Sequence, residues 1–155
     1  MTSFKVDILG QAAVDASLAA KDAAAREALK AQILKSANQL RAYVVSNKLS
    51  GQVLHRRTGN LAASVNDFEA GQVTESGDQI YAQVGTPVWY GRIHELGGSF
   101  TVPEHERTSV LGKRYTVGSY TAHFPQRSFL FSSLTENEAK IRADIAASIT
   151  GALNG

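Results

Sequence analysis

Cysteine is absent from this 155-residue chain, and its absence excludes disulfides and thiolate metal sites. Proline is scarce, with three residues, and there is a single tryptophan. Charged residues make up only 19% of the chain, and their net charge is +2. So small an excess does not indicate the clustered basic surface of a typical nucleic-acid-binding protein. The hydrophobic content of 43% predicts one globular domain over residues 1–155 with a substantial core.

Long apolar runs are also missing. No run approaches the roughly 20 apolar residues that cross a bilayer. The N-terminus, Met1 to Asp7, lacks the basic start and apolar stretch of a signal peptide. We therefore expect the protein to be made in the cytoplasm, to have no membrane partner, and to remain there until it joins an assembly.

The N-terminal third predicts a strand followed by a long helix. Phe4, Val6 and Ile8 alternate with polar residues, which is typical of a short strand. Residues 11–49 contain neither proline nor glycine and are rich in alanine, the best helix former. Their apolar stripe consists of Leu18, Leu29, Ile33, Leu40 and Val44.

A shorter helix is predicted at the C-terminus. Its capping box is expected from Ser133 with Glu136, or from Thr135 with Glu138, and Gly151 is expected to end it. One face carries Leu134, Glu138, Ile141, Ile145 and Ile149, and it is apolar apart from the glutamate.

The central stretch, residues 80–98, contains the most distinctive local pattern. It starts as an alternating strand over 80–84, breaks at a proline, and continues with Trp89 and a charged turn. We predict that Trp89 anchors this loop by packing, as large aromatic side chains usually do. The glycines at 97 and 98 that close the stretch favour a left-handed turn or a close backbone approach.

Residues 99–124 predict an extended β-hairpin arm. Short apolar residues alternate with polar ones, but they are too few to stabilise the segment alone. Arg107, Lys113 and Arg114 make it basic. Such an arm can reach a neighbouring subunit, or it can be a plain surface hairpin. The whole chain thus predicts an α+β fold: an antiparallel sheet of about four strands, a long N-terminal helix, a C-terminal helix, and this arm.

Motifs for chemistry are lacking. His94-Glu95 has no second histidine four residues further on, as a zinc protease helix requires, and no pair among the four histidines has metal-site spacing. No phosphate loop follows the paired glycines at 97 and 98. We therefore predict no enzymatic activity, catalytic residue, cofactor or metal. For Glu95 and Arg127 we predict a structural ion pair.

Three segments resemble one bacteriophage family in the expected order. They are Arg57 to Val65 (RTGNLAASV), Tyr81 to Gly98, and Pro125 to Leu130 (PQRSFL) followed by an amphipathic helix. Together with the long N-terminal helix, they make nearly the whole chain similar to the neck and tail-completion proteins of long-tailed phages.

The resemblance implies a structural virion protein. It would form a homo-oligomeric ring, expected to be a hexamer, at the head-proximal end of the tail. Its partners would be itself, the tail tube protein and a head-side neck protein, with DNA passing through the lumen. The residues that we expect at subunit contacts are Trp89, Tyr90, Arg92, Glu95, Arg107, Lys113, Arg114 and Tyr115. The residues that we expect to be structural are Gly59, Gly97, Gly98, Arg127 and Phe129.

Two alternatives stay open. One is a head-side neck (head-closure) protein or a minor tail protein. The other is a nucleic-acid-binding module that uses Arg56, Arg57, Arg107, Lys113 and Arg114.

Overall fold

A computed structural model describes residues 4–9, 23–54, 58–77 and 79–154. The elements in chain order are β1 (Phe4–Leu9), α1 (Ala23–Asn47), α2 (Asn60–Asp67), β2 (Thr74–Ser76), β3 (Gln79–Thr86), α3 (Trp89–Leu96), β4 (Gly98–Val102), β5 (His105–Thr108), β6 (Arg114–Val117), β7 (Tyr120–Phe124) and α4 (Leu130–Asn154).

The main sheet has three antiparallel strands in the order β1-β3-β2. The strands predicted at residues 4–8 and 80–84 are confirmed, and they pair with Val6 opposite Val84. The α+β class is confirmed, but the predicted sheet of about four strands is wrong. Of the described strands, only β1, β2 and β3 belong to this sheet. The strands that follow α3 pair with one another, β4 with β7 and β5 with β6, as expected for a separate arm.

Helix α1 lies at the centre of the fold and packs against both α4 and β3. Its buried residues recur every three or four positions, as the apolar stripe predicted. The predicted first part of this helix, with Leu18, lies outside the described residues. Helix α4 presents Ile141, Ile145 and Ile149 to the core. It has 25 residues, as many as the described part of α1, and it continues through Gly151, so the expected end there is wrong.

The buried side chain of Arg41 binds the edge of β3 beyond the part that is paired with β2. Strand β2 pairs with β3 only as far as Tyr81. Two residues further on, the carbonyl of Gln83 accepts a hydrogen bond from Arg41 Nη2 at 2.7 Å, and the same nitrogen donates to the carbonyls of Phe68 and Glu69. Arg41 therefore holds the loop after α2 against β3 where no further strand residue of β2 is present. Within the ranges given above, no helix has an apolar stretch long enough to cross a membrane.

Candidate assembly site

Helix α3 brings together the three segments that carry the resemblance. A Cβ added at Gly91 would lie 2.7 Å from Thr86 Cγ2 and 3.3 Å from Leu61 Cδ1, so α3 is in close contact with β3 and α2. The hydroxyls of Ser64 and Thr86 are 2.6 Å apart and link α2 to the end of β3. The residues after 125 contact the other end of α3 through Glu95.

The Glu95 carboxylate caps the N-terminus of α4. It is 1% exposed and accepts four hydrogen bonds. The donors are the Ser128 hydroxyl at 2.6 Å and the backbone N–H groups of Phe129, Leu130 and Phe131 at 2.8–2.9 Å. A carboxylate at this position satisfies amides that have no partner within the helix and interacts favourably with the helix dipole.

This cap corrects three predictions. Glu95 is buried within the chain, so it presents no surface for the predicted subunit contact. The described residues contain no ion pair between Glu95 and Arg127; the two motifs meet through the Arg127 backbone N–H, which donates to the His94 carbonyl at 2.7 Å. Both predicted capping boxes are wrong, because α4 begins at Leu130 and Ser133 already lies in its first turn.

The predicted left-handed turn is confirmed at both paired glycines, and the predicted close backbone approach is found at Gly97. Gly97 has φ 69° and Gly98 has φ 144°, which is the left-handed region that favours glycine. A Cβ at Gly97 would lie 2.9 Å from the Gln126 nitrogen and 3.1 Å from the Phe124 oxygen. The end of α3 and the chain before α4 are therefore tightly packed backbone to backbone, and they form the base of the arm.

The predicted extended hairpin is confirmed as a two-part ribbon. Its proximal part is β4 with β7, and its distal part is β5 with β6. Between the two parts, residues 103–104 and 118–119 are not in strands. None of the four strands makes extended contact with the other described elements, so the ribbon projects from the body.

One face of the proximal ribbon is apolar and largely uncovered. The register pairs Phe100 with Ala122 and Val102 with Tyr120, and directly paired residues point to the same face. The opposite face carries polar pairs such as Ser99 with His123, whose side chains are hydrogen-bonded at 2.7 Å. The alternation is visible in the sequence, and it is the signal that could have identified this surface.

A row of aromatic rings connects α3 to the arm. Consecutive centroids are 5.5–6.4 Å apart, in edge-to-face contacts except for one stacked pair. The rings in order are Trp89, Tyr90, His94, Phe124 and Phe100. Trp89 is 67% exposed, so the prediction that it anchors the loop by burial is wrong. It contacts Tyr90 edge-on at the exposed end of the row.

His94 sits in the middle of this row, in a groove at the base of the arm. Burial, with a further contribution from the positive charge of Arg127, lowers the pKa of His94 below 6.5. The groove has a volume of about 700 Å³. Its lining is Leu49, Leu54, Thr58, Gly59, Asn60, Leu61, Ala62, Tyr90, His94, Phe124 and Arg127.

The remaining predicted residues divide between the surface and the core. Arg92, Arg107, Lys113, Arg114 and Tyr115 are exposed, and Tyr90 is half-buried. Gly59 precedes α2 with φ 82°, Phe129 is fully buried, and the Arg127 side chain is exposed. Arg56 and Arg57 lie outside the described residues. The exposed apolar residues that were not singled out are Leu96, Phe100, Val110, Leu111, Tyr120, Phe131 and Leu153.

These features suit binding through apolar and aromatic surface. Among the residues that the structure covers, no three histidine, aspartate or glutamate side chains come together as they would around a metal ion. No protein-family model, curated protein or solved structure matches this chain.

Proposed function

We propose that this chain is a structural virion protein that forms a ring at the head-proximal end of a phage tail. There it would end growth of the tail tube and present a docking face to a head-side neck protein. The ring, expected to be a hexamer, would leave a lumen for DNA. The proposal starts from the resemblance of the three segments, and it is supported by their convergence around α3.

The observation that carries the proposal is the arm. A two-stranded ribbon is marginally stable alone, and this one leaves Phe100 and Tyr120 exposed on its apolar face. Its base is held rigidly, since Gly97 packs against Gln126 and Glu95 caps α4. A ribbon with a fixed base and an uncovered apolar face is suited to pack against another subunit.

The arm is suited to form a ring when the rotation between neighbouring copies closes; otherwise the same kind of contact gives an open filament. An arm that contacts a different surface on the next copy makes a head-to-tail interface, and repetition of that interface by a closing rotation gives a ring. No catalytic step is part of the proposal.

The test is the mass and shape of the assembled protein. We expect native mass spectrometry and negative-stain electron microscopy of the purified chain to show rings with one copy number. A matched variant, with residues 104–118 replaced by a short glycine-serine turn, should keep its helical circular dichroism and melt cooperatively, because β5 and β6 make no extended contact with the other elements that the structure describes. It should not form rings. A wild-type chain that stays monomeric at its highest attainable concentration would refute the proposal.

A head-closure or minor tail protein would also be ring-forming, and it is distinguished by where the chain is traced in the virion neck. The nucleic-acid-binding alternative is favoured by Arg107, Lys113 and Arg114 near the end of the arm, but Glu104 and Glu106 lie beside them, and Arg114 is 4.0 Å from Glu106. A shift of duplex DNA that weakens steeply with salt would support that alternative. The absence of a shift in the wild type would remove it.

A further inference from the structure

The turn at the end of the arm exposes two large apolar side chains completely. Val110 and Leu111 reach 106% and 95% of full exposure. The turn itself is well formed, because Ser109 N–H donates to the Lys113 carbonyl at 2.8 Å and Gly112 adopts φ 77°. Two adjacent, fully exposed aliphatic side chains on an ordered turn are unfavourable in water unless a partner covers them.

The groove at the base of the arm offers apolar surface of the right kind. Leu61, Tyr90 and Phe124 are among its lining residues, and its volume of about 700 Å³ is within the range of pockets that enclose whole ligands. Arg127 and Asn60 add donors that suit the carbonyl groups of a turn.

The tip of the arm cannot enter the groove of its own subunit. Phe124 both ends the ribbon and lines the groove, so this groove lies at the base of the ribbon. Residues 98–110 of an extended strand span up to about 40 Å at roughly 3.3 Å per residue. The backbone contact at Gly97 holds the base in place, so the tip projects away from it.

The extended length of the arm is close to the distance expected between the centres of neighbouring copies. The body without the arm, roughly 130 residues, has an expected radius of gyration of about 14 Å, which corresponds to a diameter of about 35 Å. The centres of two copies in contact are therefore separated by about the length of the arm, so an arm directed towards the next copy brings its tip near the base of that copy's arm.

We propose that Val110 and Leu111 of one copy occupy the groove between α2, α3 and the base of the arm in the next copy. This inference rests on the proposed ring and names the contact that closes it. The occupant is a second copy of this chain because the tip cannot reach the groove of its own chain, the extended arm is about as long as one body is wide, and tip and groove are different surfaces. Such a pair makes the head-to-tail contact that a ring requires.

The absence of cysteine allows a direct test. In the double variant Leu111→Cys with Asn60→Cys, the introduced thiols are the only ones in the chain, and a disulfide forms only where two Cα atoms come within about 7 Å. Mild oxidation should give a ladder of covalent oligomers that ends at the copy number of the ring and disappears with reductant. The matched control, Leu111→Cys with Ala139→Cys, places the second thiol on an exposed position of α4 that does not line the groove, and should give no ladder.

The outcomes separate the two proposals. Rings without a ladder would overturn the contact and leave the ring standing, as would a disulfide formed within single chains or an equal ladder in the control. A protein that is monomeric in every condition would overturn both.

A second variant tests the contact without a crosslink. Val110→Ser with Leu111→Ser should melt with the wild type, because both side chains are exposed, yet it should need at least about tenfold more protein to form rings. Rings at unchanged concentration would contradict the proposed contact.

Discussion

Removal of the Glu95 carboxylate should destabilise the fold strongly. Glu95→Ala leaves the Ser128 hydroxyl and the amides of Phe129, Leu130 and Phe131 without their acceptor. An unsatisfied buried donor costs about 1–3 kcal/mol, and loss of an N-cap alone costs about 0.5–2 kcal/mol. The four costs do not add fully, because water can enter the space of the missing side chain.

We expect a loss of about 3–5 kcal/mol in the free energy of unfolding, because several buried donors, each costing about 1–3 kcal/mol when unpaired, lose their acceptor and their costs add only in part. This is a third or more of the total stability of many domains, which is about 5–15 kcal/mol. Glu95→Gln keeps the shape and one acceptor oxygen, but its NH₂ group faces donors. The expected loss for Glu95→Gln is about 2–3 kcal/mol.

The assay is equilibrium denaturation in urea, followed by circular dichroism, at a concentration where the protein does not assemble. Glu138→Gln is the matched control, since Glu138 is exposed and, among the described residues, pairs only with Arg142 one turn away; its loss should stay below about 0.5 kcal/mol. Amide hydrogen exchange should accelerate at residues 129–131 in Glu95→Ala and not in the control. A loss below about 1 kcal/mol for Glu95→Ala would refute the capping role.

Three further predictions follow from buried and exposed groups. Arg41→Met should lower the free energy of unfolding by about 2–4 kcal/mol in urea titrations, because it removes the donor to the carbonyl groups of three residues; a loss like that of a surface substitution would contradict it. Trp89→Ala should change stability by less than about 1 kcal/mol, and in the wild type the tryptophan emission should shift to shorter wavelength on assembly; equal emission before and after assembly would remove Trp89 from the contact. The pKa of His94, measured by NMR, should lie below 6.5 and rise in Arg127→Ala. In the wild type, the lowered pKa means that the unfolded chain binds the proton more readily than the folded chain, so the free energy of unfolding should fall as the pH drops below about 6.5. A His94 pKa at or above 6.5 would contradict this direction.

The sequence alone determined the features that depend on neighbouring residues. Alanine content and the absence of proline and glycine predicted the helix that contains α1, and the spacing of Leu29, Ile33 and Leu40 identified its buried face. Alternation predicted β1 and β3 and the ribbon of the arm. Gly97 was identifiable because a positive φ and a close backbone contact each require a residue without Cβ.

Only the tertiary structure decided which distant groups meet. Glu95 and Phe131 are 36 residues apart. The residues next to Glu95 in the sequence do not indicate whether its carboxylate binds the amides at the start of α4 or a cation. Trp89 has a large aromatic side chain of the kind usually found in a core, yet it is exposed. The side of α3 that faces the body is occupied by Gly91 and Glu95, so Trp89 lies on the outer side. Periodicity and propensity act over a few residues, whereas the burial of a side chain depends on which surfaces the whole chain packs together.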